Sequence, residues 1–301
     1  MEGSGSELRI EREDGVVLAG SLTLPERRPA PALVALHGAE AALRSYPLHE
    51  HLHAVLPKAG FAAVTFDRRG EGASTGEPSA GRFDVLADDA IAVVDQVAEL
   101  DAIDAARIGL WGISQGGWVA PLAATRSERV AFLVLIASIG VSPAEQMREA
   151  IPEQLRRAGY DENAVAFERA ARAELEDVIH DRGSPERAQA LLDEARHQAW
   201  WPLAYLPDHV LHGDERRGWI EEMDFEPEPV FAHVRVPTLV FFGDDDEWIP
   251  IEASIEAWRR ARGDEVKIVR LPGTGHDATL AGGEISPFYT ETLVEWLRAR
   301  S

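Results

Sequence analysis

The sequence predicts an α/β protein: a doubly wound, mostly parallel sheet interrupted once by an inserted helical cap. Three observations carry that prediction. Short apolar runs alternate with helix-length amphipathic stretches through residues 1–140 and again through 229–301. A glycine-bounded serine turn, Gly112-Ile113-Ser114-Gln115-Gly116, stands between one such run and one such stretch. Between residues 141 and 228 the alternation stops and the pattern is helical throughout.

In chain order, residues 7–12 and 16–24 read as a β-hairpin, with Asp14-Gly15 supplying the turn. Residues 32–36 form a continuous apolar run ending in His37-Gly38, which suits a strand covered on both faces. A helix is expected over 47–58, stopped by Gly60. Then follow a strand at 61–66, a helix at 84–100, a strand at 107–111, a helix at 115–125 and a strand at 130–137. Within the insertion, helices are expected at 143–157, 162–180 and 185–201, each opening near a proline or an acid. After Pro227 and Pro229 the alternation resumes with a strand at 238–242, a helix at 251–262, a strand at 266–271 and a last helix at about 286–300. The domain reading is a core in two parts, 1–140 and 229–301, around a lid at 141–228.

Composition narrows the function. The 301 residues carry 52 acids against 30 bases, a formal net charge of −22. Nucleic acid and anionic membrane are polyanions and are repelled by such a field. The insertion alone holds 21 acids against 10 arginines, so half of the excess charge sits in under a third of the chain. There is no cysteine, which removes disulfides, thiolate metal sites and cysteine nucleophiles. The segment Met1-Glu2-Gly3-Ser4-Gly5-Ser6-Glu7 has neither a basic nor an apolar stretch, so no secretory leader is expected there. No apolar run reaches the roughly 20 residues of a membrane helix, and a cytoplasmic protein is the expectation.

The serine turn is where chemistry points. A nucleophile on a sharp strand-to-helix turn needs small residues two before and two after it, so that the backbone folds tightly and the hydroxyl stands clear of the sheet. The amide of Gln115 then lies at a helix start, where N–H groups and the helix dipole favour negative charge. A serine hydroxyl needs a base, and the base an orienting acid. Both residue types follow predicted strands downstream, in Gly243-Asp244-Asp245-Asp246-Glu247-Trp248-Ile249-Pro250 and in Gly273-Thr274-Gly275-His276-Asp277.

With these motifs the chain resembles a serine hydrolase of the α/β-hydrolase superfamily. The resemblance implies Ser114 as nucleophile, His276 as general base and Asp246 as the orienting acid, from the family's G-x-x-D-x-x-V-P pattern. Asp244 and Asp245 stay open as alternative acids. It implies a second oxyanion donor in the backbone N–H of Ala39, after His37-Gly38. There the chain reads Gly38-Ala39-Glu40-Ala41-Ala42 in place of the commoner glycine-rich loop. Glu40 sets a carboxylate near developing negative charge, so it is expected to point away or to pair, with Arg44 the candidate partner. The segment Asp67-Arg68-Arg69-Gly70-Glu71-Gly72-Ala73-Ser74 is similar to the family's D-x-R-G-x-G-x-S loop and reads as structural. Its glycines do not match a dinucleotide fingerprint.

The histidines at 49, 51 and 53 tempt a metal reading. On a helix only His49 and His53 share a face, and no third ligand stands at a recognisable spacing. No metal or cofactor is expected. Leu18-Ala19-Gly20-Ser21-Leu22-Thr23-Leu24-Pro25 and the Trp111–Gly117 stretch resemble the dienelactone-hydrolase/acyl-peptidase-like branch, with serine in place of the cysteine of true dienelactone hydrolases. The expected reaction is cleavage of an ester, thioester or lactone through an acyl-serine. A peptidase or amidase, an acyltransferase, a non-catalytic binding protein and an acidic docking protein are the alternatives. The expected partner is a small, neutral, partly apolar ester-like molecule, and a homodimer is compatible with the sequence. Trp118, Trp200, Trp201, Tyr205 and Trp248 are candidates to line its pocket; the competing reading makes them the core of the insertion.

Overall fold

The computed structural model describes residues 5–79 and 81–300. Residues 1–4, within the segment where no leader is expected, lie outside the described residues. By element order the chain runs β1 (Ser6–Glu11), β2 (Val17–Thr23), β3 (Ala30–Leu36), α1 (Pro47–Val55), β4 (Ala62–Phe66), α2 (Phe83–Ala98), β5 (Ile103–Ile113), α3 (Gly116–Arg126) and β6 (Val130–Ile136). Five helices follow: α4 (Pro143–Arg157), α5 (Glu162–Ile179), α6 (Pro185–Ala195), α7 (Trp201–Ala204) and α8 (Gly213–Met223). The chain then gives α9 (Pro227–His233), β7 (Thr238–Gly243), α10 (Ile251–Arg262), β8 (Val266–Leu271) and α11 (Pro287–Arg298).

It divides into two compact units. The first runs to Gly140 and adds Pro227–Asp246 and the stretch from Ile251 onward. All eight strands lie in it, as one sheet in the order β1-β2-β4-β3-β5-β6-β7-β8. β1, β2 and β4 pair antiparallel; from β4 through β8 every pairing is parallel. Burial follows the sequence pattern. β2 alternates buried and half-buried residues, as a strand with one wet face does, whereas β3, β4 and β7 are buried at every position. The expected Asp14-Gly15 turn closes the first hairpin: Gly15 stands at φ +83°, and the Asp14 carboxylate accepts the Val16 N–H at 3.1 Å.

The second unit comprises Val141–Glu226 and Glu247–Pro250. Its helix starts are written locally. Ser142, Asp161 and Ser184 each accept a backbone N–H three residues on, and the two serines are followed by proline at the first helical position. Two apolar clusters hold the unit together. One gathers Ile151, Leu155, Val165 and Trp200; the other gathers Leu175, Ile179, Leu192 and Val210.

Two features depart from the sequence expectation. The helix expected over 185–201 ends at Ala195 and restarts as the short α7. Turn bonds from Gln198 and Trp201 intervene, and Pro202, lacking an N–H, cannot continue α6. Helices α8 and α9 have no counterpart among the expected elements. The apolar residues of α8, Trp219, Ile220 and Met223, are half-buried and stand among charged neighbours, so its stripe is short and weak in the sequence.

Candidate active site

The parallel strands end on one edge of the sheet, and the predicted site residues follow three of those ends. Ser114 follows β5, Asp246 follows β7 and His276 follows β8. All three belong to the first unit.

Ser114 has φ +53°, a left-handed conformation rare for a residue with a side chain. Holding it costs about 1–3 kcal/mol, which the surrounding packing must over-determine. The turn is tight enough that a Cβ on Gly112 would meet the Gly116 carbonyl oxygen at 2.3 Å. A Cβ on Gly116 would stand 3.0 Å from the His37 carbonyl oxygen. The flanking glycines are therefore steric requirements of the serine's conformation. Ser114 is half-buried, and Gln115 next to it stands at the N-terminal boundary of α3.

The acid and the histidine meet. His276 Nδ1 donates to Asp246 Oδ2 at 2.8 Å, with Oδ1 at 3.0 Å. The Asp246 side chain is fully buried, while His276 keeps about a quarter of its side chain exposed. Asp244 and Asp245 are exposed, and Asp244 pairs instead with Arg270. The two loops are zipped by backbone bonds from Asp244 N to Leu271 O and from Asp245 N to Thr274 O. Gly243 makes this approach feasible: a Cβ there would lie 2.3 Å from Gly275 O and 2.5 Å from Thr274 O.

The turn after β3 lies beside the serine. A Cβ built on Gly38 would be 3.6 Å from the Ser114 Cβ. Ala39 and Glu40 are exposed. The Arg44 guanidinium lies across β2 and donates to Glu7, to the Gly20 carbonyl and toward Asp67. His37 donates from Nε2 to the Phe66 carbonyl at 2.6 Å. Burial, then the neighbouring His49 and Arg68, push its pKa well below the usual value, so the ring is a neutral structural link.

The 67–76 loop ties this region down. Asp67 accepts the backbone N–H groups of Arg44 and Ala73. Arg69 forms a two-pronged buried pair with Asp89 and reaches Asp14. Arg68 is buried and donates to the carbonyls of Gly38 and Ala39. The sequence reading gives Arg68 no role of its own; the available signal is a second arginine inside a loop already read as structural.

The three clustered histidines are used singly. His49 bonds Leu43 O, His51 bonds Thr290, and His53 bridges Thr23 and Thr65. Among the described residues no three metal-ligating side chains are grouped.

The aromatic residues expected in a pocket separate. Trp118 is interior to the first unit: its Nε1 donates to Ile139 O and its ring packs against Phe83. Trp200 is buried within the second unit's first cluster, edge-on to Phe167, so the burial of these two favours the competing core reading. Trp201 is half-buried, and Tyr205 is exposed and meets Trp248 edge-on at 5.8 Å.

Strand order, the serine turn after β5 and the acid and histidine after β7 and β8 define an α/β-hydrolase. A family model described as serine aminopeptidase, S33, matches residues 27–280, and the chain belongs to that family of the α/β-hydrolase superfamily. The AB hydrolase superfamily protein YisY of Bacillus subtilis (strain 168) is 27% identical over 240 residues, 78% of this chain and 84% of its own length. A non-heme haloperoxidase of Rhodococcus erythropolis is 30% identical over 207 residues, 67% of this chain and 70% of its own. Among solved structures, the Pyrococcus furiosus esterase Pf2001 superposes with a TM-score of 0.65 at 15% identity, over 98% of this chain and 92% of that one. These likenesses support a hydrolase. No described helix is long and apolar enough to cross a membrane.

Proposed function

We propose that the protein is a serine hydrolase that cleaves a carboxylic ester, thioester or lactone through an acyl-serine intermediate. Ser114 Oγ attacks the substrate carbonyl carbon while His276 Nε2 removes its proton. Asp246 holds the Nδ1–H, keeps the productive tautomer and stabilises the imidazolium that forms. The tetrahedral oxyanion is held by the N–H groups of Gln115 and Ala39. His276 returns the proton to the leaving alkoxide, and water repeats the sequence on the acyl-enzyme to release the acid.

The observation that carries this reading is the 2.8 Å His276–Asp246 bond on the sheet edge where a left-handed Ser114 stands. The esterase among the structural neighbours supports the ester class only by analogy of fold. The formal charge of −22 favours neutral over anionic substrates.

A fluorophosphonate probe is expected to label the chain at Ser114. Ser114→Ala is expected to abolish labelling and lower p-nitrophenyl butyrate turnover by about a thousandfold or more. A folded Ser114→Ala protein that keeps about a tenth of the parent rate would place the nucleophile elsewhere. The family description favours a second reading, hydrolysis of an aminoacyl amide by the same residues. An aminoacyl p-nitroanilide turned over faster than the butyrate ester would select it.

A further inference from the structure

The turn after β3 has to present an N–H to an oxyanion although it lacks the glycine-rich sequence that usually shapes such a turn. Something else must hold its peptide planes. Its anchors lie about thirty residues downstream, at the end of β4, the strand paired with β3. Asp67 accepts the Arg44 N–H at 2.9 Å, and the Arg68 N–H donates to Ala42 O at 2.8 Å. The third anchor is the guanidinium of Arg68: its Nη2 donates to Gly38 O at 2.5 Å and to Ala39 O at 2.8 Å.

Across a trans peptide the C=O and the N–H point to opposite sides of the chain. With the Gly38 carbonyl fixed on Arg68, the N–H of the same peptide, that of Ala39, is turned to the far side. With the Ala39 carbonyl fixed likewise, the Glu40 N–H is turned away from Arg68 as well. One buried guanidinium therefore sets two successive peptide dipoles, in a turn whose Gly38 lies against Ser114. Its positive charge also sits behind those donors, on the carbonyl side of their peptides, where it strengthens their polarisation. The neighbouring His37 ring is held neutral by burial and does not duplicate that charge.

We propose that Arg68 is the positioning residue of the oxyanion-binding turn: it holds the Gly38 and Ala39 carbonyls so that the Ala39 N–H is aimed at the tetrahedral intermediate. The assignment rests on Ser114 being the nucleophile. Arg68 occupies the x of the D-x-R-G loop, beside the motif arginine Arg69, whose partners are Asp89 and Asp14. The two arginines do different work, Arg69 bracing the loop and Arg68 the turn.

The test uses the full chain with p-nitrophenyl butyrate and, as a reversible mimic of the tetrahedral adduct, an alkyl trifluoromethyl ketone. Arg68→Met and Arg68→Gln are compared with the parent and with Ser114→Ala. The expected result for either folded variant is a kcat lower by about tenfold to a thousandfold, KM within about threefold, and ketone inhibition weakened by a factor matching kcat. Arg68→Lys, whose ammonium reaches the same carbonyls, is expected to recover part of the loss. If Arg68→Met does not fold, the more polar Arg68→Gln decides between the outcomes. A folded neutral variant with kcat within about threefold of the parent overturns the proposal. So does a loss confined to KM, or a fallen kcat with ketone affinity unchanged. Failure of the underlying reading looks different: the parent would then be unlabelled by fluorophosphonate, or Ser114→Ala would stay active.

Discussion

At the scale of single residues, the site is shaped as much by atoms that are missing as by those present. Gly243 separates the end of β7 from the loop that carries His276. A methyl group there would overlap two backbone oxygens, Gly275 O and Thr274 O, neither of which can swing aside as a side chain does. Gly243→Ala is therefore expected to push the histidine loop away from Asp246. A misplacement of about 1 Å can cost on the order of a hundredfold in rate. The expected outcome is a folded protein about 1–3 kcal/mol less stable, as overpacking typically costs, with kcat reduced about tenfold or more. Steady-state kinetics beside urea denaturation check it, and a variant with parental kcat would show that the loop has slack. The same logic explains Asp246 over its exposed neighbours: of the acids at 244–246, it is the buried one and the one bonded to His276.

At the scale of elements, the helices differ in what secures them. Helix α11 buries Tyr289, Leu293, Trp296 and Leu297, whereas α8 buries nothing completely. Trp219 and Ile220 pack α8 against the second apolar cluster, and polar links add to that hold. Arg216 donates to Ile179 O and pairs with Asp181, and His180 Nε2 meets Asp224 at the C-terminal end of α8 at 2.8 Å. The bond to Asp224, then the one to the Glu176 carbonyl, raise the His180 pKa against the opposing effects of partial burial and of Arg182. A raised histidine pKa stabilises the folded form below the unfolded value of about 6.5, and that contribution is lost as pH rises through the folded value. Amides of α8 are therefore expected to lose protection as pH rises above about 6.5, after correction for intrinsic exchange. Asp224→Asn is expected to flatten that dependence. Exchange that tracks the intrinsic rate alone in the parent would show that the pair does not hold the helix.

For the whole molecule, the relevant titrations run the other way. His49 is buried under Tyr46 and Trp111, and burial pushes its pKa down to about 4. His37 is depressed as well. The unfolded chain binds protons at these positions before the folded one does, so their contribution is complete above about pH 6.5 and falls as pH drops toward 4. Each such histidine removes on the order of 1.4 kcal/mol per pH unit across that window. His49→Phe, which gives up the Leu43 bond but cannot be protonated, is expected to be less stable than the parent at about pH 7 and to match or exceed it near pH 5. Parallel stability curves for the two proteins across that range would contradict the assignment.

The fold class, most of the elements, and the serine turn with its downstream acid and histidine loops were legible without coordinates. Each is written within a few residues: a continuous apolar run for a strand buried on both faces, Ser-Pro at a helix start, glycines two residues either side of a serine. What the tertiary structure alone decided are contacts between segments that the strand order makes neighbours. β4 lies next to β3, so Arg68 meets Gly38 and Ala39; β8 lies next to β7, so the His276 loop meets Gly243. Arg44 turns to Glu7 and Asp67 because β2 and β4 are adjacent, and Trp118 and Trp200 are buried by the partners that each unit packs against them, Phe83 and Phe167. Local pattern reports the conformation of a segment; which distant segment it will touch depends on a packing that no short stretch of sequence encodes.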